Sequence, residues 1–102
     1  MTIAFDIDGT WDRDPDLFYD VATMFSTRGH EVIIVTGRDQ PLNKLLRLLL
    51  RGNHPSAAEW PILVSGPILK EQAALKAGYK VDVWCDDMPG MIQECKILGG
   101  DL

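Results

Sequence analysis

The sequence predicts an α/β domain, a three-layer sandwich around a mostly parallel sheet of four or five strands. Three observations predict it. Strand-like and helix-like patterns alternate four times along 102 residues, as repeated strand–helix–strand crossovers require. The run Glu31-Val32-Ile33-Ile34-Val35-Thr36 is largely β-branched and lies between Gly29 and Gly37, the pattern of a strand buried on both faces. Two strand-like stretches lead into acids, Asp6 with Asp8 and Asp86 with Asp87, and open α/β sheets bind ligands at their carboxyl edge.

The elements follow in order. Residues 2–7 form a first strand with the apolar run Ile3-Ala4-Phe5, and Gly9-Thr10 break its pattern. Asp14 is placed to cap a helix whose first position is Pro15. Leu17, Phe18, Val21, Met24 and Phe25 recur at helical spacing as its apolar face, and Gly29 ends it. Residues 31–36 are the second strand. Asp39 and Pro41 start a second helix, with Leu42, Leu45, Leu46 and Leu49 inward and Lys44, Arg47 and Arg51 on a solvated face. Gly52 stops it, and 53–61 is loop. Residues 62–65 are a third strand, Gly66-Pro67 a turn, and 68–77 a third helix stopped by Gly78. Residues 80–85 are a fourth strand running into Asp86-Asp87, and Pro89 opens a last helix with Met91, Ile92 and Cys95.

Right-handed crossovers leave few topologies. With strands two and three on one side of strand one, strand four lies on the other. The strand order then reverses between strands one and four, which brings Asp6 and Asp8 beside Asp86 and Asp87.

Composition bounds the function. At 46% apolar and 25% charged, the chain reads as one ordinary globular domain, residues 1–102. A net charge of −5 argues against a general nucleic-acid or membrane binder, which would carry a basic surface. The first ten residues hold two aspartates and no basic residue, unlike a secretory signal, and the apolar run 45–50 is too short to span a bilayer. Cys85 and Cys95 form no C-x-x-C pair and read as reduced, packed thiols, which suits a cytoplasmic setting.

An isolated buried charge is costly, so Asp6 and Asp8 should point out of the sheet's carboxyl edge. Two nearby carboxylates raise each other's pKa unless a cation sits between them. Residues two apart on an extended strand share a face, so the pair could hold a hard divalent ion such as Mg2+. One carboxylate could then attack while the other handles protons. The plainer reading makes Asp6 a turn cap and Asp8 a solvated loop residue. Four carboxylates meeting at one sheet edge favour the cation.

Four stretches together resemble the haloacid dehalogenase (HAD) superfamily of phosphohydrolases. Asp6-Ile7-Asp8-Gly9-Thr10 matches its D-x-D-G-T strand end, and Val32-Ile33-Ile34-Val35-Thr36-Gly37 its apolar strand ending in Thr or Ser. Lys70 matches its helix-start lysine, with Lys76 the alternative, and Trp84-Cys85-Asp86-Asp87 its acidic strand end. The four occur in family order over nearly the whole chain. The resemblance implies a Rossmann-like core and a Mg2+-dependent phosphatase acting on a phosphomonoester. Asp6 would be the nucleophile, forming an aspartyl-phosphate, and Asp8 the general acid and base. Thr36 would bind the transferring phosphoryl group and Lys70 would neutralise it. Mg2+ would be held by Asp6, the Asp8 backbone carbonyl and Asp86, with Asp87 as alternative or outer ligand.

Other residues read more loosely. Gly37 and Arg38 follow the second motif, and Arg38 could clamp a substrate phosphate or make a surface ion pair; Arg13 is a weaker candidate of the same kind. Trp11 could wall the site or pack on the first helix. Trp60 and Trp84 read as packing, and His30 and His54 have no partner at ligand spacing. The chain leaves no room for the cap domain of larger relatives, so the site should be open. That suits a nucleic-acid end or another bulky substrate, or a lid from a second subunit, with homodimerisation across the free sheet edge as a further expectation. The alternative function is a non-catalytic phosphate- and metal-binding module acting through a partner. A receiver-type domain fits less well, because its third strand should end in Asp and here it ends Val64-Ser65-Gly66.

Overall fold

β1 (Thr2–Phe5) is the strand on which the sheet is built. In the computed structural model, which describes residues 1–37 and 60–93, it runs between β2 (Glu31–Thr36) and β4 (Val83–Cys85). β3 (Ile62–Val64) pairs with the outer side of β2, so the order is β3-β2-β1-β4 and every pair is parallel. This is the order that right-handed crossovers predicted, with its reversal between β1 and β4.

Alternation along the strands sorts the core into two layers. Ile3 and Phe5 of β1 and Val32 and Ile34 of β2 pack with Ile7, Trp11 and Ala22 on one face. Ala4, Ile33 and Val35 pack on the other face with Ala74. Ala22 belongs to α1 (Pro15–Thr27) and Ala74 to α2 (Lys70–Lys76), so each face of the sheet is covered by a helix. Continuous apolar runs are therefore needed in β1 and β2. Each fully buried Ile or Phe contributes about 2 kcal/mol.

α1 starts as its sequence dictates: the Asp14 side chain accepts the Leu17 N–H at 3.2 Å, and Pro15 occupies the first turn. It ends before Gly29, whose φ of +87° suits a residue without Cβ. Its buried stripe differs from the expected one. Phe18, Val21, Ala22 and Phe25 face the core, at spacings of three and four, while Leu17 and Met24 stand about half exposed along its edges.

Other boundaries are corrected as well, β3 among them, which ends at Val64 instead of residue 65. β1 ends at Phe5 instead of residue 7, because the chain then turns: the Thr10 and Asp12 N–H groups both donate to the Ile7 carbonyl. β4 spans only Val83–Cys85 of the expected 80–85. β1 begins at Thr2, and the Asp82 N–H donating to the Thr2 carbonyl is the start of that ladder. α2 begins at Lys70 instead of 68, since Leu69 is still extended. The helix expected after Pro89 opens as a short 3₁₀ turn, Pro89–Met91. The helix expected over 39–51, together with Arg38, His54 and Cys95, lies outside the described residues. Among the described residues no helix is long and apolar enough to cross a membrane.

Candidate metal site

Asp6 follows the last residue of β1. Its N–H donates to the Cys85 carbonyl at 3.0 Å, continuing the β1–β4 ladder by one step. That bond holds Asp6 beside the end of β4. The carboxylate is only 6% exposed, so it is buried rather than pointing freely out of the edge as expected. The reason it can be buried is Lys70.

Lys70 is the first residue of α2 and is itself 3% exposed. The turn at Gly66-Pro67 and the extended Leu69 bring the start of this helix back to the carboxyl edge of the sheet. Its ammonium donates to Asp6 Oδ1 at 2.8 Å and to Asp86 Oδ2 at 2.6 Å. Asp86 is fixed from its other side as well, where Oδ1 accepts the Met88 N–H at 2.9 Å. Lys76, at the far end of α2, is exposed.

Asp87 rests on the loop that follows β1. Gly9 has a φ of +82°, and a Cβ built there would collide with Asp87 Oδ2. Only glycine lets the carboxylate come so close. Thr10 Oγ1 donates to Asp87 Oδ1 at 3.5 Å, and the Gly9 N–H is tied to Asp12 Oδ1 at 2.9 Å. Carboxylate oxygens of Asp6, Asp86 and Asp87 thus lie within 4.8 Å of one another.

Three acids so close raise the question of charge. Burial pushes the Asp6 carboxyl up to about 6; the bond and charge of Lys70 oppose this, and the neighbouring Asp86 and Asp87 add to it. Burial lowers the Lys70 pKa, but its bonds to Asp6 and Asp86 outweigh that and hold it above the ordinary lysine value. The site therefore carries more negative charge than one ammonium balances. An all-oxygen donor set suits a hard divalent cation. The three carboxylates are close enough together for one such ion to reach all of them.

The remaining expected site residues fall as follows. Asp8 is exposed, and its carboxylate stands outside the three-acid group. The strand ends at Phe5, so the alternation that would have put Asp6 and Asp8 on one face does not reach them. Thr36 is fully buried at the end of β2, where its carbonyl accepts the Ser65 N–H at 2.9 Å and the Ser65 hydroxyl at 3.4 Å. A Cβ placed on Gly37 would stand 3.9 Å from Met91 Cε, so the segment after β4 reaches back toward the end of β2. Trp11 is fully buried and stacks on Phe18 at 5.8 Å, which makes it a core residue and not a wall of the site. Trp60 packs on Trp11 and Tyr19, and Trp84 packs on the opposite layer.

Sequence reading missed the supports of the site. Asp12 holding the Gly9 amide and the Met88 amide on Asp86 are local contacts, whereas Thr10 reaches Asp87 across 77 residues of chain. Asp12, three residues after Gly9, was the one that turn chemistry could have flagged. Compared with models of protein families, with curated proteins and with solved structures, the chain matches none.

Proposed function

We propose that the chain is a Mg2+-dependent phosphatase of HAD-like type, acting on phosphomonoesters through Asp6. The observation that supports this most is the bridging of Asp6 and Asp86 by one buried ammonium, with Asp87 completing a three-acid group at the point where strand order reverses. A merely structural site would more readily bury apolar side chains there, since buried ion pairs seldom repay their desolvation.

In this reading Asp6, Asp86 and Asp87 hold the ion, with the backbone of Asp8 as a further oxygen donor. The ion supplies charge neutralisation for a phosphoryl group and shields the nucleophile from repelling it. Asp6 attacks phosphorus from its carboxylate oxygen, the P–O bond to the leaving group breaks, and an aspartyl-phosphate results. Lys70 offsets negative charge on Asp6 and on the transferring group. The Asp8 carboxylate is exposed and lies outside the three-acid group, a position that suits proton transfer to the leaving oxygen. Thr36 ends the neighbouring strand and is assigned to the phosphoryl oxygens; Gly37 and Arg38 follow it as substrate-binding candidates.

The test is hydrolysis of an aryl phosphate with and without Mg2+, by wild type and Asp6→Asn. Mg2+-dependent turnover that disappears in the variant supports the proposal. Turnover that survives in Asp6→Asn removes the nucleophile. Mg2+ binding without turnover across a broad phosphoester panel replaces the enzyme with a binding module.

A further inference from the structure

Beside the acid group lies a cleft of about 270 Å3, between the 3₁₀ turn Trp11–Arg13 with the start of α1 on one side and the end of β4 on the other. Phe18 and Cys85 give it an apolar lining, while Asp86 and Asp87 belong both to the cleft and to the three-acid group. Arg13 also lines it. Arg13 is exposed, and its guanidinium makes no hydrogen bond or ion pair with any described residue. Its backbone is fixed all the same, since the Arg13 N–H donates to the Thr10 carbonyl at 3.2 Å.

We infer that this cleft takes the leaving group of the substrate, and that Arg13 selects leaving groups carrying a second anion. The inference rests on the phosphatase reading of the adjoining acids. The charge pattern leads to it. With a divalent ion held at Asp86 and Asp87, the cleft would offer that ion and the Arg13 guanidinium to negative charge, alongside the apolar Phe18 and Cys85. A ligand matching that pattern has a phosphoryl group, a short flat or apolar body and a carboxylate or phosphate beyond it. Size points the same way. Ligand pockets run from about 300 Å3 upward, so a body the size of a single ring fills this cleft. The openness of the site does not then demand a bulky substrate. A guanidinium recognises a carboxylate or phosphate through paired N–H donors, and an exposed arginine without a partner among the described residues can offer them.

The probes are phenylphosphonate and 4-carboxyphenylphosphonate, which the protein cannot hydrolyse, titrated calorimetrically into the full chain with Mg2+ present. The carboxylated compound should bind wild type about fivefold more tightly, the strength of a well-placed exposed ion pair. Arg13→Gln should erase that preference, and Arg13→Lys should restore part of it. Equal affinities in wild type, no binding of either compound, or a preference that survives in Arg13→Gln would each overturn the inference. Hydrolysis of phenyl phosphate, measured on the same preparation, separates the two readings. A preference without hydrolysis supports the cleft and removes the phosphatase. Hydrolysis without a preference does the reverse.

Discussion

Lys70 joins the two ends of the chain chemically, since its ammonium touches an acid from residue 6 and one from residue 86. Both carboxylates are almost wholly shielded from water. Replacing Lys70 with Met would leave two buried like charges facing each other. Breaking a buried pair in this way costs about 3 kcal/mol or more. Lys70→Met should therefore unfold at lower urea concentration than wild type at pH 7. The loss should shrink at pH 5, where Asp6 holds its proton. An equal loss at both pH values would contradict the charge account. Gly9→Ala tests the other side of the site. Its φ of +82° disfavours any side chain, and the new methyl would collide with the Asp87 carboxylate. Asp87 must then move. The variant should lose Mg2+ affinity at least tenfold, whereas Gly29→Ala, with open space around its Cβ position, should bind Mg2+ as wild type does.

At the scale of elements, α1 is anchored by one cap. Asp14→Ala removes the acceptor for the Leu17 N–H and should cost about 1 kcal/mol in urea unfolding, with Mg2+ binding unchanged. Much at this scale was legible in the sequence. Asp14-Pro15 marked the start of α1, Gly29 its end, and the β-branched run 31–36 the second strand with its bounds. Those signals are local, so local pattern carries them. What was not legible depends on partners. β4 is short because β1 gives it only three paired residues, which no reading of 80–85 alone could show. Leu17 and Met24 scored as core by spacing, yet the turn holding Trp11 and the packing of Trp60 set which side of α1 faces inward. The site shows the same division. The four acids stood out, but that Asp6 would be buried against Lys70, and that Asp8 would stand apart, followed from where β1 stops.

For the whole molecule, the acid group couples stability to pH, and a cation bound there would act through the same group. The folded state raises Asp6 from its ordinary 3.8 to about 6, so folding favours the protonated form. The contribution of Asp6 is therefore complete below about pH 4 and is lost as pH rises through about 6. A shift of that size corresponds to about 3 kcal/mol at most. In chelator, unfolding free energy should fall between pH 4 and pH 7, and Asp6→Asn should flatten that fall. Millimolar Mg2+ at pH 7 should recover most of it, because a cation favours the ionised acid. A rise in stability over the same interval, unaffected by Asp6→Asn, would contradict the assignment of Asp6.

The central claim, that Asp6, Asp86 and Asp87 form one cation site, is tested most directly by calorimetric titration of Mg2+ at pH 7 into wild type, Asp86→Asn and Asp87→Asn. The account predicts one ion bound per wild-type chain and affinity reduced at least tenfold in each variant. No binding to wild type at millimolar Mg2+, or equal binding by all three proteins, would contradict it.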